Sequence, residues 1–195
     1  MLVEAAREAF AEEGLQVSLD RIARRAGVGS ATLYRHFPQR RELVDEVFSS
    51  TLTEVTTAGD RAVAARSAWT GLTEYLYAVF ANLPTERSAA DSTLPHPQGA
   101  TTVDLIHERH RRTVHTLLLR GQKQGTVRPD MTTEDLLLAL AVLGRALPAL
   151  ITTAGPGSWH RPLALLLDAS RAHPAAFRLP TPSFTEDELD KILGS

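Results

Sequence analysis

The chain has 195 residues, a formal net charge of −2, no cysteine and 43% hydrophobic residues. That length fits one large domain, or a small one joined to a medium one, with enough buried surface to fold without disulfides or metal. Without cysteine there is no thiol nucleophile, iron–sulfur cluster or thiolate zinc finger. No uncharged apolar run reaches the ~20 residues of a membrane span, and no basic-then-apolar signal opens the chain, so a soluble cytoplasmic protein is expected.

The first predicted helix carries Leu2, Val3, Ala6 and Phe10 on one stripe, with Gly14 placed as a left-handed cap. Ser18 is a good N-cap for a second helix, and Asp20 in its first turn suits the helix dipole. That helix turns Leu19, Ile22, Ala23 and Ala26 inward and stops at Gly27. A third opens near Gly29 and Ser30 and sets Leu33, Tyr34 and Phe37 against the first two. Two short helices joined by a glycine turn, with small Ala23 at the crossing, make a helix-turn-helix. Charge supports this. Residues 1–50 hold seven Arg or Lys and eight Asp or Glu, yet from Arg21 to Arg41 there are six arginines and no acid. Phosphate contacts require local rather than global positive charge.

The run LVEAAREAFAEEGLQVSLDRIARRAGVGSATLYRHFPQRRELVDEVF, residues 2–48, resembles the DNA-binding domain of the tetracycline-repressor (TetR/AcrR) family of bacterial transcription regulators. The most diagnostic stretch is AGVGSATLYRHFPQRREL, Ala26–Leu43. The resemblance implies that Ser30, Ala31, Thr32 and Arg35 face base edges or neighbouring phosphates. It implies that Tyr34 and His36 touch the DNA backbone or a thymine methyl, that Ser18 meets a phosphate, and that Arg40 is a basic phosphate clamp. A guanidinium can bond guanine O6 and N7 together, and threonine can touch a thymine methyl. Many relatives carry an aromatic residue where this chain has Arg35, so a guanine preference is particular to it. Tyr34 has an alternative role, packing on the first helix. The chain departs from the family at its start: Met1 directly precedes the helical stripe, where relatives carry a basic arm. Either DNA is bound without an arm, or the start as written trims it.

A fourth helix is predicted from about Gln39 to Ala58, with Leu43, Val44, Val47, Phe48, Leu52 and Val55 on one face. It links a DNA-binding unit, 1–49, to a larger helical ligand-binding and dimerisation unit, 50–195. The next helix is predicted from about Asp60 to Asn82, striped by Trp69, Leu72, Leu76, Val79, Phe80 and Leu83. Pro84 to Gly99 is polar, with three prolines, and reads as a short helix and a loop gating ligand entry. Another helix spans about Thr101 to Gln124 and ends at Gly125. Thr132 caps a helix to about Thr152 that is apolar nearly all round, from Leu136, Leu137 and Leu138 through Leu140, Val142 and Leu143 to Leu147 and Leu150. A surface helix would show a polar face. Paired with a helix at about Arg161–Ala172, it is expected to bury its second face against its own copy in a four-helix bundle, an arrangement the resemblance also implies. The alternative is the central helix of a monomer. Pro148 should kink it.

Catalytic patterns are absent: no G-x-S-x-G elbow, no phosphate loop, no G-x-G-x-x-G after a strand. Asp104, His107 and His110 stand at helical spacing in DLIHERH, short of a metalloenzyme motif, beside arginines 109, 111 and 112 that oppose a cation. No metal, cofactor or enzymatic activity is expected. The prediction is an all-α regulator, a repressor that binds a pseudo-palindromic operator as a homodimer and is released by a small hydrophobic or aromatic effector. Trp69, Leu72, Leu76 and Phe80 would form the apolar walls of its pocket unless Trp69 and Phe80 are plain core. Tyr75, His107 and His110 would orient the ligand. The alternative is a helical small-molecule-binding or metal-dependent protein with no DNA role.

Overall fold

A computed structural model of the protein describes residues 1–82, 102–173, 177–180 and 183–194. These contain helices α1 (Leu2–Glu13), α2 (Leu19–Arg25), α3 (Ser30–His36), α4 (Arg40–Ala64), α5 (Ala68–Asn82), α6 (Thr102–Lys123), α7 (Thr133–Ala154), α8 (His160–Ser170) and α9 (Glu186–Gly194). Among the described residues, β pairing is limited to one isolated bridge between Val127 and Arg171. Leu83 and the loop predicted at Pro84–Gly99 lie outside them.

Local signals build the first three helices. The Ser18 hydroxyl accepts the Arg21 N–H at 3.3 Å, capping α2. Gly27 takes φ 68°, the left-handed conformation that turns α2 into α3 at little steric cost. Gly14 also has positive φ but ψ 170°, so α1 ends in a glycine-only extended bend rather than a left-handed helical cap. Ala6, Phe10, Ile22, Ala23, Leu33, Leu43 and Val47 are fully buried together. Tyr34 is not among them; it is 47% exposed.

The fourth helix continues past the predicted end at Ala58, because Gly59 is a contact point and not a breaker. A Cβ at Gly59 would sit 2.7 Å from the Thr113 hydroxyl of α6. The chain bends instead at residues 65–67, so residues 60–64 complete α4 and the predicted Asp60–Asn82 helix is α5 alone. Gly71 of α5 then passes so close to α4 that a Cβ there would lie 2.4 Å from the Ala62 carbonyl oxygen.

Helices α4 and α6 run parallel and in register, joined at both ends and between. The Asp45 carboxylate accepts the Thr102 N–H at 2.9 Å and the Thr102 hydroxyl at 2.7 Å, closing the N-terminus of α6. About two turns further along α6 and four along α4, Arg109 bonds Asp60. At the far end, Arg120 donates to the carbonyls of Val63 and Ala65, covering the C-terminus of α4. Gln124 holds the α4–α5 corner, accepting the Ala68 N–H at 2.8 Å. Val103 of α6 is buried within the N-terminal core, so α6 belongs to both halves of the molecule.

Thr132 and Asp135 form a reciprocal capping box on α7, with bonds of 3.2 Å and 2.9 Å. Leu136, Leu137, Leu140 and Leu147 are buried against the rest of the chain. Leu140 is thus protomer core, and a charge there would test folding rather than assembly. The surface left open carries Val142, 59% exposed, and Leu165 of α8, 61% exposed. By length and composition α7 could cross a membrane. Its buried leucines dock one side of it on this helical body, and the rest of its surface stays open. Pro148 sits inside it and leaves the Gly144 carbonyl without its i+4 N–H.

Candidate functional site

Ser30, Ala31, Thr32, Tyr34, Arg35 and His36 all lie on α3, whose buried anchor is Leu33. Ala31, Thr32, Tyr34, Arg35 and His36 are exposed and Ser30 is half-buried. One helix face therefore presents a hydroxyl, a methyl, a phenol, a guanidinium and an imidazole to the outside. Ser18 is exposed at the start of α2. The positive window is smaller than its arginine count. Arg25 is bound by Glu8 and Glu12 of α1, and the Glu12 hydrogen bond, against a loss from desolvation and with the Glu12 charge, raises its pKa. Arg21 lies 2.9 Å from Glu13, and Arg41 pairs with Asp45. The acids flanking the basic window fold back on it. Within Arg21–Arg41, Arg24 and Arg35 are the exposed guanidiniums without an ion pair to any described residue. Sequence reasoning did not single out Arg24, because pairing of its neighbours is a tertiary fact.

Arg40 is not free to act as an outward clamp. Its guanidinium is partly buried and donates to the Leu15 and Val17 carbonyls, both at 2.5 Å. It fastens the α1–α2 connection to the start of α4.

In the second candidate region, Leu72, Tyr75, Leu76 and Phe80 are buried to within 3% exposure along α5. The Tyr75 hydroxyl and His110 Nδ1 are 3.0 Å apart, and the two rings stack with centroids at 5.5 Å. Burial, and then the neighbouring His107, push His110 down to about 4. Burial also raises the Tyr75 phenol, against a hydrogen bond from Thr113 and the charge of Arg109. The pair is therefore neutral at pH 7, two polar atoms in an apolar interior. His107 stays exposed on α6. Trp69 does not share a site with Phe80. The two stand eleven residues apart on α5, roughly 16 Å along the axis. Trp69 lies beneath the Arg171 guanidinium, 5.0 Å from its ring centroid. Phe80 meets Trp159, at 6.0 Å, and Tyr77 meets the same indole at 5.8 Å. Trp159 stands between two prolines, Pro156 and Pro162, where no periodic pattern points to it. Among the described residues, the buried hydroxyls of Thr73 and Ser158 find no hydrogen-bond partner. Among the described residues, no three metal-ligating side chains converge, Asp104, His107 and His110 included.

The His110 shift sets a pH dependence. An unfolded histidine titrates near 6.5, so between pH 6.5 and about 4 the unfolded chain holds the extra proton and folding stability falls with pH. The expected loss is up to about 3 kcal/mol. Urea melts at pH 7.5 and 4.5 should show it, and His110→Gln should remove most of the difference.

A helix-turn-helix with an exposed polar second helix, hydrogen-bonded through Asp45 to a separate helical body with its own core, defines a DNA-binding regulator with a sensing domain. Residues 2–47 match the family described as bacterial regulatory proteins, tetR family, and residues 67–169 match the C-terminal domain of SbtR-like transcriptional regulators. The chain belongs to the tetR family, a class of ligand-responsive DNA-binding regulators. It is 34% identical over 64 residues to the uncharacterized HTH-type transcriptional regulator YhgD of Bacillus subtilis (strain 168), 32% of this chain and 34% of that one. It thus spans about a third of the length of that curated relative. The ketosteroid transcriptional regulator KstR2 of Mycobacterium tuberculosis shares its fold, with TM-score 0.63 and 23% identity over 88% of this chain and 94% of that one. So does the transcriptional regulator FadR of Bacillus subtilis, solved with stearoyl-CoA, with TM-score 0.59 and 16% identity over 86% and 94%.

Proposed function

We propose that the protein is a cytoplasmic repressor that binds a pseudo-palindromic operator as a homodimer and leaves it when a hydrophobic effector enters the C-terminal body. Residues 1–49 form the operator-reading unit in this account, and 50–195 the sensing and dimerising one. Arg35 reads a guanine. Ser30, Ala31 and Thr32 touch neighbouring bases, and Ser18, Tyr34, His36 and Arg24 position the phosphates. Arg40 acts indirectly, by holding the loop before α2. The effector approaches Leu72, Tyr75, Leu76, Phe80, His107 and His110, with Trp159 in place of Trp69 at the aromatic end. The account assigns no catalytic group.

The observation that carries this is the neutral Tyr75–His110 pair, which joins α5 to α6, the helix that Asp45 ties to the DNA-binding unit. A ligand acts only through its different affinity for two conformers, and α6 contacts both halves. An apolar effector suits the lining, as FadR's stearoyl-CoA suits that protein.

Duplex titrations of Arg35→Ala and Arg40→Ala test the assignment of roles. Arg35→Ala should cost about 1–3 kcal/mol at one base pair per half-site and leave binding to random DNA nearly intact. Arg40→Ala should lower the unfolding free energy by about 2–4 kcal/mol, from two charge-assisted bonds lost, and leave the salt slope of DNA binding unchanged. Equal losses by Arg35→Ala on specific and random duplexes would remove it as a reader.

A further inference from the structure

Helix α9 lies beyond the 67–169 match and was not anticipated by any periodic pattern, yet it is built into the body. Leu189 is fully buried in the C-terminal core. Its neighbours Glu186 and Asp190 reach Arg111 of α6 at 3.0 Å and 2.6 Å. The chain leading to it is tied down as well: Arg128 donates to the Phe177 carbonyl, and the Leu179 N–H donates to Asp130 at 2.9 Å. Thr185 and Glu188 cap its first turn.

We propose that Arg111 is the anchor of a binding site for an amphipathic anion, and that α9 is its built-in occupant. Glu186 and Asp190 stand in for the acidic group, and Leu189 for the apolar body. Three observations fit a displaceable occupant better than a permanent strut. Both carboxylates are more than 60% exposed, and exposed ion pairs hold weakly. Arg111 Nη1 is buried and 3.0 Å from the Glu186 carboxylate, yet makes no aligned hydrogen bond, so α9 satisfies the guanidinium incompletely. A nine-residue helix is too short to persist undocked, so its order depends on docking through Leu189 and the Arg111 ion pairs together. Arg111 stands one turn from His107 on the same face of α6, at the edge of the proposed effector region. The inference rests on that reading only for its link to DNA release.

The probe is 1-anilinonaphthalene-8-sulfonate, an aromatic body with one sulfonate, titrated by fluorescence against the full chain. A site masked by its own chain binds more weakly by the fraction of time it is open. Glu186→Gln with Asp190→Asn should therefore tighten probe binding about ten-fold while lowering the melting midpoint by only about 2–4 °C. Adding Arg111→Gln should abolish the gain. Equal affinity in wild type and double variant, or a gain that survives Arg111→Gln, would overturn the proposal. Hydrogen exchange on the wild type provides a second reading without any substitution. The saturating probe should strip protection from the α9 amides, and unchanged protection with the probe bound would also overturn it. Operator release is scored separately, and probe binding that displaces α9 without releasing DNA would move the effector elsewhere while leaving the Arg111 site intact.

Discussion

The Val142→Glu, Leu165→Glu double variant should sediment as a monomer and lose roughly a hundred-fold or more of its operator affinity. Within one protomer both positions are about 60% exposed, on adjoining helices α7 and α8. Half-exposed Leu138, Leu143, Ile151 and Leu166 extend the same apolar surface around the buried core. Large exposed apolar patches mark interaction sites, and a second copy of this chain fits a two-fold regulator. A glutamate in solvent costs little, whereas two in a covered bundle leave unpaired buried charges that only separation relieves. Two linked half-site contacts then become independent ones, which accounts for the size of the affinity loss. The monomer should keep its helical content and melt within a few degrees of the unassembled wild type. A variant that still sediments as a dimer would place the interface elsewhere.

Gly71→Ala should destabilise the protein by about 3 kcal/mol, at the upper end for an overpacked site. Helix propensity alone predicts the opposite sign, a gain of up to about 1 kcal/mol for alanine over glycine inside a helix. The steric term wins because the added Cβ would meet the Ala62 carbonyl oxygen at 2.4 Å and Leu117 at 3.2 Å. The first of these is backbone of α4, held by Arg120 and Gln124 at the corner, and cannot rotate aside. Gly144→Ala is the matched control, since its Cβ would meet nothing within 4 Å. It should stabilise. Urea melts of the pair separate the two effects, and a neutral Gly71→Ala would mean that α4 and α5 move apart freely.

The same contrast explains what the sequence could and could not disclose. The DNA-binding unit was legible because its signals are local: a serine cap, a glycine turn, apolar residues three and four apart. Ser18, Gly27 and Leu33 behave as those signals require. Gly59 has the same chemistry as Gly27 but a different cause. It accommodates Thr113, fifty-four residues away, and so the end of α4 was placed several residues early. Arg21, Arg25 and Arg40 look like free cations in a string of letters, and only folding brings Glu13, Glu8, Glu12 and two carbonyls to them. Tyr34 has the spacing of a core residue on a helix too short to bury a second large side chain beside Leu33. Trp159 lies between prolines and α9 beyond the periodic segments, so neither announced its place in the core.

The parallel pairing of α4 and α6 has a mechanical consequence. From Gly59, where α6 presses on α4, to Arg40 at its start are nineteen residues, a rigid arm of roughly 28 Å. A swing of only about 5° at that fulcrum carries the far end roughly 2.5 Å, most of the rise between stacked base pairs. The fulcrum needs no hinge of its own. Because the arm is bolted to α6 at Asp45 and again at Arg120, whatever tilts one helix tilts both, and the displacement reaches the recognition helix through Arg40 and its grip on the loop before α2. An effector that shifted the helices around Tyr75 by less than an ångström would have that shift geared up before it reached bound DNA.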